Sequence, residues 1–158
     1  MTSTSNPPLV GLVIGSRSDE TIIQQTESVL NDFKIPYELS VLSAHRTPKR
    51  LADYASSAKN RGIRVLIAAA GGSAALPGAI AAWTTLPVIG IPVPSSDLKG
   101  IDALLTIAQM PPGVPVACMA VGVWGARNAG YFAASIISSL DSDVERAYED
   151  YKSDLANR

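Results

Sequence analysis

The chain contains a single histidine, His45, in the segment 43–48, which has the sequence Ser-Ala-His-Arg-Thr-Pro. An imidazole can exchange a proton with a bound substrate near neutral pH. The next residue, Arg46, carries a planar and permanently charged guanidinium that suits a phosphate group. If the protein performs acid–base chemistry through an imidazole, His45 must supply it. The residues alone leave open a surface histidine beside a solvated arginine.

The segment 15–19, Gly-Ser-Arg-Ser-Asp, combines a glycine with two hydroxyls and a carboxylate. Free backbone N–H groups at the start of a helix, together with Ser16 and Ser18, suit a phosphate or another anion. The alternative is that Ser18 or Asp19 only caps the helix that follows. The glycine spacings of a P-loop and of a dinucleotide fingerprint are absent, which argues against nucleoside triphosphates and NAD.

The segment 71–78, Gly-Gly-Ser-Ala-Ala-Leu-Pro-Gly, carries no strong acid, base or nucleophile. Gly71 and Gly72 allow a ligand to approach the backbone closely, or they only permit a tight turn. No set of His, Cys, Asp and Glu has the spacing of metal ligands, so we expect no metal. Cys118 falls in a predicted buried strand, where a cysteine usually behaves as a small hydrophobic residue.

Short apolar runs and segments of helical spacing alternate along the chain. The predicted strands are 9–15, 37–42, 64–70, 87–93 and 115–121. The predicted helices are 21–33, one that opens at Thr47-Pro48, 77–84, 98–109, 127–140 and 142–157. This alternation predicts a single-domain α/β fold, a three-layer α/β/α sandwich with a flavodoxin-like parallel sheet of about five strands. Ligands bind at the carboxyl ends of such strands, where the segments 15–19, 43–48 and 71–78 all fall.

Length and charge narrow the possibilities further. The 158 residues suit one domain, expected over 9–158 and ending in a C-terminal helix, after a flexible segment 1–8. Thirteen Lys and Arg residues against 14 Asp and Glu give a net charge of −1. This balance gives no net positive charge that would attract nucleic acid or an anionic membrane. The small residues of 125–139 allow close helix approach and predict a homo-oligomer.

The location is predicted from what the sequence lacks. No uninterrupted apolar run of about 18 residues is present, so a membrane span is not expected. The first eight residues are polar and lack the basic start and apolar stretch of a signal peptide. The only cysteine cannot form an internal disulfide, which suits a reducing compartment. We therefore expect a cytoplasmic protein.

Together, these segments resemble the class I N5-carboxyaminoimidazole ribonucleotide mutases, the PurE family of purine biosynthesis. The resemblance rests on GSRSD at 15–19, SAHRTP at 43–48, AGGSAALPGAIAA at 70–82, LPVIGIPV at 86–93 and the Gln-Met-Pro joint at 109–111. It implies a cytoplasmic homo-octamer that binds a small ribonucleotide. The implied reaction moves a carboxyl group from the exocyclic nitrogen to C4 of aminoimidazole ribonucleotide, without a metal or a cofactor.

The resemblance also implies a role for each candidate residue. His45 matches the general acid and then base, and Asp19 would bind the ribose hydroxyls. The 5′-phosphate and its neighbouring groups would be held by Ser16, Ser18, Ser43 and Arg46. The imidazole and the migrating carboxyl group would lie along Gly71, Gly72 and Ser73, and the remaining substrate-binding positions are Ala44, Ala70 and Leu76.

One position departs from the family pattern, which commonly places a second histidine where this chain has Ala75. This departure keeps three alternatives open: direct carboxylation of aminoimidazole ribonucleotide with CO2, a non-catalytic ribonucleotide-binding paralogue, and a relative that acts on another heterocycle. The class II enzymes, which use CO2 directly, typically carry lysine after the histidine. Arg46, followed by Thr47 and Pro48, is the class I form and favours the mutase.

Overall fold

The strands and helices of this chain were located in a computed structural model that describes residues 7–157. The strands are β1 (Val10–Ile14), β2 (Tyr37–Val41), β3 (Val65–Gly71), β4 (Val88–Val93) and β5 (Ala117–Cys118). The α-helices are α1 (Glu20–Asp32), α2 (Pro48–Ala58), α3 (Leu76–Ala81), α4 (Ile101–Ala108), α5 (Val123–Ser138) and α6 (Ser142–Ala156). Short 3₁₀ turns occupy Arg17–Asp19 and Lys59–Arg61. Residues 1–6 of the segment predicted to be flexible lie outside the described residues.

The five strands form one parallel sheet in the order β2-β1-β3-β4-β5, which confirms the predicted flavodoxin-like fold. Side chains alternate across the sheet because successive strand residues point to opposite faces. On β1, Leu12 and Ile14 pack with α1, α5 and α6 on one face, and Val13 packs with α2, α3 and α4 on the other. The strand order reverses beside β1, and this places a cleft at the carboxyl ends of β1 and β3.

The small residues of α5 serve the chain's own packing. Ala126, Ala129 and Gly130 are buried where α5 crosses α1, and a side-chain carbon on Gly130 would lie 2.7 Å from Val29 Cβ. The buried Thr26 hydroxyl donates a hydrogen bond of 2.8 Å to the Ala126 carbonyl oxygen across the same contact. These residues therefore explain a close helix crossing inside the chain and do not themselves argue for association between copies.

The last strand is shorter than predicted. The run 115–121 contributes only Ala117–Cys118 to the sheet, which is its edge next to β4. Pro92 in β4 and Pro115 have no N–H group to donate, so continuous pairing stops around them. Gly122, at a φ of 71°, then turns the chain into α5, which begins at Val123 rather than at 127. Because β5 is a short edge strand, Cys118 is half-buried and not in the sheet interior as predicted.

Among residues 7–157, no helix combines the length and the apolar character that crossing a membrane requires.

Candidate active site

The segments 15–19, 43–48 and 71–78 meet in one cleft of about 350 Å³ at the carboxyl ends of β1, β2 and β3. The lining residues are Gly15, Ser16, Ser18, Asp19, Ser43, Ala44, His45, Arg46, Ala70, Gly71, Ser73, Ala74, Ala75, Leu76 and Ser95. Every residue that the sequence predicts for the site is among them except Gly72. The fold thus brings together residues that lie up to 80 positions apart, from Gly15 to Ser95.

The segment 15–19 forms a 3₁₀ turn before α1. Ser16 caps this turn, since its Oγ accepts a hydrogen bond of 3.4 Å from the Ser18 backbone N–H. Asp19 occupies the cap position of α1, but its side chain makes no capping hydrogen bond there. Capping therefore accounts for Ser16 and leaves the Asp19 carboxylate available to the cleft.

Asp19 is a carboxylate buried at the edge of the cleft, with 6% of its surface exposed. Burial raises the pKa of Asp19 above its ordinary value because it disfavours the charged form. The Ser18 hydroxyl, the Ser16 backbone and the positive charge of Arg46 oppose this shift without cancelling it. The ionised carboxylate therefore lowers the stability of the folded state. Hydroxyl groups of a bound ligand could donate hydrogen bonds to it and offset this loss.

The loop after β2 is a closed turn that presents His45. The Ser43 N–H donates to Thr47 Oγ1 at 2.9 Å, and the Thr47 hydroxyl donates to the Ser43 carbonyl oxygen at 3.1 Å. The Arg46 N–H donates to Ser43 Oγ at 3.2 Å, and Pro48 then begins α2. His45 lies exposed in the cleft lining within this turn, so its imidazole is accessible to a ligand.

Arg46 joins the loops of β1 and β2. Its Nη2 donates a hydrogen bond of 2.8 Å to the Gly15 carbonyl oxygen, and its Nε donates to Ser43 Oγ at 3.3 Å. A guanidinium has five N–H donors, so others stay available for an anion in the cleft. Arg17 lies outside this cleft and lines a neighbouring depression of about 370 Å³ on the other side of Arg46.

The two glycines at the carboxyl end of β3, Gly71 and Gly72, have different roles. Gly72 has a φ of 60°, and the Ala74 N–H donates to the Gly71 carbonyl oxygen at 3.1 Å, which forms a tight turn. Gly72 thus fits the turn interpretation and does not line the cleft. Gly71 lines the cleft, and its lack of a side chain permits a close contact within the protein: a side-chain carbon there would overlap the Ser95 hydroxyl oxygen and lie 2.9 Å from the Val93 carbonyl oxygen.

Ser95 is a lining residue that the sequence analysis missed. It follows the carboxyl end of β4 by two residues, so the rule that located the other segments applies to it as well. The sequence gives no signal that its side chain, rather than that of Ser96, faces the cleft. Gly15, Ala74 and Ala75 also line the cleft.

Charge divides the cleft into two halves. The half at β1 and β2 contains the ionisable side chains Asp19, His45 and Arg46. The half at β3 and β4 contains none, and it is lined by Ala70, Gly71, Ser73, Ala74, Ala75, Leu76 and Ser95. A phosphate dianion suits the first half, and a weakly charged or neutral group suits the second. Within residues 7–157, no three side chains of the His, Cys, Asp or Glu type form a group that could hold a metal ion.

We expect Asp19→Asn to stabilise the fold at neutral pH. The raised pKa of Asp19 means that its ionised form destabilises the folded state, so the amide removes a cost that is present when the carboxyl is charged. The gain in Tm narrows as the pH falls toward the ordinary value of 3.8, because the wild-type carboxyl then becomes neutral. Thermal unfolding across this pH range tests the sign. Asp53→Asn, at an exposed position of α2, is the matched control, and an equal gain there would contradict the explanation.

We expect Gly71→Ala to destabilise the chain by about 1–3 kcal/mol, the usual cost of overpacking. The added carbon meets the Val93 carbonyl oxygen at 2.9 Å, and this backbone atom cannot move without disturbing β4. Urea denaturation measures the difference. Gly15→Ala is the control within the same cleft, because nothing lies within 4 Å of a side-chain carbon there. If both variants have wild-type stability, the packing argument is wrong.

Comparison with known proteins agrees with this arrangement. The model of the AIR carboxylase family matches residues 9–158. An N5-carboxyaminoimidazole ribonucleotide mutase of Bacillus subtilis is 52% identical over 143 residues, which are 90% of this chain and 88% of that protein. A protein of the same name from Pyrococcus abyssi is 49% identical over 148 residues, 94% of this chain and 84% of that one.

A solved structure shows the same fold. The crystal structure of Treponema denticola PurE superposes with a TM-score of 0.84 at 29% identity, covering 95% of this chain and 92% of that one. The residues that the family model matches, 9–158, include both faces of the sheet and all three loops of the cleft. This chain therefore belongs to the AIR carboxylase family.

Proposed function

We propose that this protein is an N5-carboxyaminoimidazole ribonucleotide mutase that uses His45 as its proton donor and then acceptor. The observation that carries the proposal is the meeting of one imidazole, one guanidinium and an uncharged pocket wall in the same cleft. Relatives about 50% identical over most of the chain carry that name, which supports the reaction. The roles of the individual residues are our assignment.

The charged half of the cleft holds the ribose phosphate. Arg46, together with the hydroxyls of Ser16, Ser18 and Ser43, receives the phosphate oxygens, because charge-assisted hydrogen bonds are the strong ones. Asp19 accepts hydrogen bonds from the ribose hydroxyls, and these replace the solvation that its burial removes. The heterocycle then extends toward the uncharged half, along Gly71 and Ser73.

The chemistry consists of two proton transfers around one carbon–carbon bond formation. The His45 imidazolium gives a proton to the exocyclic nitrogen, the N–C bond breaks with its electrons retained on nitrogen, and CO2 is released. C4 of the aminoimidazole then attacks the CO2 carbon, which makes the C4–C bond and leaves C4 with both a proton and a carboxylate. Neutral His45 removes the C4 proton and restores aromaticity. His45 ends protonated, ready for the next turnover.

The uncharged half of the cleft retains the CO2 between these steps. Ala70, Ala74 and Leu76 line this half with apolar side chains and have only 6%, 4% and 3% of their surfaces exposed. They form an apolar wall that offers no hydrogen bonds to water. A CO2 molecule held against this wall stays near C4, which converts a bimolecular attack into an effectively unimolecular one. Water is kept from a reactive intermediate in the same way.

We propose further that the protein acts in the cytoplasm as a homo-oligomer, an octamer by family resemblance, with residues 9–158 as one catalytic domain. Large apolar side chains left exposed by this chain support association, since such surface is costly in water. They include Trp124, Leu140, Leu98 and Trp83, at 80%, 64%, 63% and 57%. Light scattering during size-exclusion chromatography measures the mass of the protein in solution. A monomeric mass would contradict the proposed oligomer.

The reaction is tested by following the C4-carboxylated product by ultraviolet absorbance, with two starting mixtures. One contains the N-carboxylated ribonucleotide, and the other contains aminoimidazole ribonucleotide with excess bicarbonate. We expect rapid conversion in the first mixture alone. Conversion only in the second would make the protein a direct carboxylase. No conversion in either, with ribonucleotide binding intact, would make it a binding protein that has lost the chemistry.

A further inference from the structure

We propose that the Ser95 hydroxyl donates a hydrogen bond to the carboxyl group in transfer, and so helps to hold CO2 between its release and its capture. The inference rests on the proposed function. It begins from the position of Ser95 in the cleft lining after β4, with its Oγ in the space that a side chain on Gly71 would occupy. Gly71 thereby admits a hydroxyl to the uncharged end of the cleft.

The loop that carries Ser95 is fixed by the neighbouring serine. Ser96 Oγ donates to Asp102 Oδ2 at 2.6 Å and accepts from the Leu98 N–H at 3.2 Å, while the Lys99 N–H donates to the Ser96 carbonyl oxygen at 2.9 Å. Asp102 Oδ1 also accepts from the Ala103 N–H at 2.9 Å, which ties the loop to the first turn of α4. Ser95 is consequently held in a defined place without using its own side chain.

The Ser95 hydroxyl itself is left for a ligand. Its side chain makes no hydrogen bond with any residue of the described range 7–157, whereas that of Ser96 makes two. The Ser95 N–H is bonded to the Val93 carbonyl oxygen at 2.9 Å, so the backbone at this point is also positioned. An exposed hydroxyl in a cleft, on a fixed loop and without a protein partner, is arranged to contact whatever the cleft binds.

The charge distribution identifies which part of the substrate Ser95 contacts. The phosphate belongs to the half with Arg46, and the half with Ser95 has no ionisable side chain. The transferred group is a carboxylate on nitrogen, then neutral CO2, then a carboxylate on C4. A cation would stabilise both carboxylates relative to CO2 and raise the barrier between them, because only interactions stronger in the transition state accelerate a reaction. A neutral hydroxyl favours the two carboxylates less than a cation does, and we expect its hydrogen bond to be strongest while the carboxyl group is in transfer.

The test is the fate of the carboxyl group in Ser95→Ala. Purified protein is mixed with the N-carboxylated ribonucleotide, and the C4-carboxylated product and free aminoimidazole ribonucleotide are both quantified, with enzyme-free breakdown subtracted. We expect turnover to fall about tenfold with KM within about twofold of wild type, on the scale of one hydrogen bond made during the reaction. We also expect the fraction released as free aminoimidazole ribonucleotide to rise, because CO2 escapes before C4 captures it.

Two further variants make the result specific. Ser95→Thr keeps the hydroxyl and should recover most of the rate and the product fraction. Ser139 follows the last residue of α5, and its hydroxyl donates only to the Ile136 carbonyl oxygen, at 2.7 Å. Turnover and the product fraction of Ser139→Ala should therefore match those of wild type. An active wild type with unchanged turnover and product fraction in Ser95→Ala overturns the inference alone, as does a loss confined to KM. An inactive wild type overturns the proposed function, and this inference with it.

Discussion

His45→Asn is expected to reduce turnover by at least about a hundredfold, the usual scale of general acid–base catalysis. His45 is the only histidine of the chain and lies exposed in the cleft lining, so no second imidazole can replace it. Asparagine keeps a polar side chain of similar reach but has no proton to exchange near neutral pH. Both halves of the reaction fail, because the same group must first donate and then accept the proton. Initial rates with the N-carboxylated ribonucleotide measure the loss.

The structural environment of His45 makes this variant a clean test. Its turn is held by hydrogen bonds among Ser43, Arg46 and Thr47, none of which uses the imidazole. We therefore expect unchanged circular dichroism, an unchanged oligomeric mass and binding of a ribonucleotide within a few-fold of wild type. A fully active His45→Asn protein would contradict the proposed mechanism, whatever its affinity for the ribonucleotide.

Arg46→Ala is expected to lower kcat/KM by about a hundredfold or more, chiefly through KM. The variant removes the only permanent cation of the cleft lining, and hydrogen bonds from charged groups contribute about 1.5–3 kcal/mol each. It also removes the guanidinium bond to Gly15, which links the loops of β1 and β2, and the bond to Ser43 within the β2 loop. Steady-state kinetics separates the two effects: lost phosphate binding raises KM, and a displaced loop also lowers turnover.

Two comparisons show what Arg46 contributes. Arg46→Lys keeps the charge but lacks the planar fork, so it should recover part of the affinity without restoring both loop contacts. Arg50→Ala removes the same charge from an exposed position on α2 that does not line the cleft, and it should leave the kinetics within about twofold of wild type because salt screens exposed charges. Equal losses in Arg46→Ala and Arg50→Ala would mean that general electrostatic attraction, not phosphate contact, explains the effect.

The parallel sheet could be predicted from sequence because its strands are short apolar runs separated by helices of ordinary length. Parallel strands buried on both faces leave this pattern, and Val65–Gly71 and Val88–Val93 are continuous runs of it. The same reasoning failed at 115–121. That run is apolar enough for a long strand, but prolines in it and in its partner limit the paired part to Ala117–Cys118.

The cleft could be predicted at the level of loops but not of side chains. The position of loops follows from strand ends, so the three segments around Ser16, His45 and Gly71 could be assigned to one edge of the sheet. The direction of a side chain within a loop depends on contacts from other elements. The burial of Asp19, the turn at Gly72 and the entry of Ser95 beside Gly71 therefore required coordinates.

The close fit of Gly71 and Ser95 has a consequence for how this cleft can change during evolution or design. The two positions are coupled, because an alanine at 71 competes for the volume that the Ser95 oxygen fills. A path that first shortens residue 95 relieves the nearer conflict, whereas one that first enlarges residue 71 passes through an overpacked intermediate. The order of substitution therefore matters, and a library that randomises residue 71 alone samples only overpacked variants at that position.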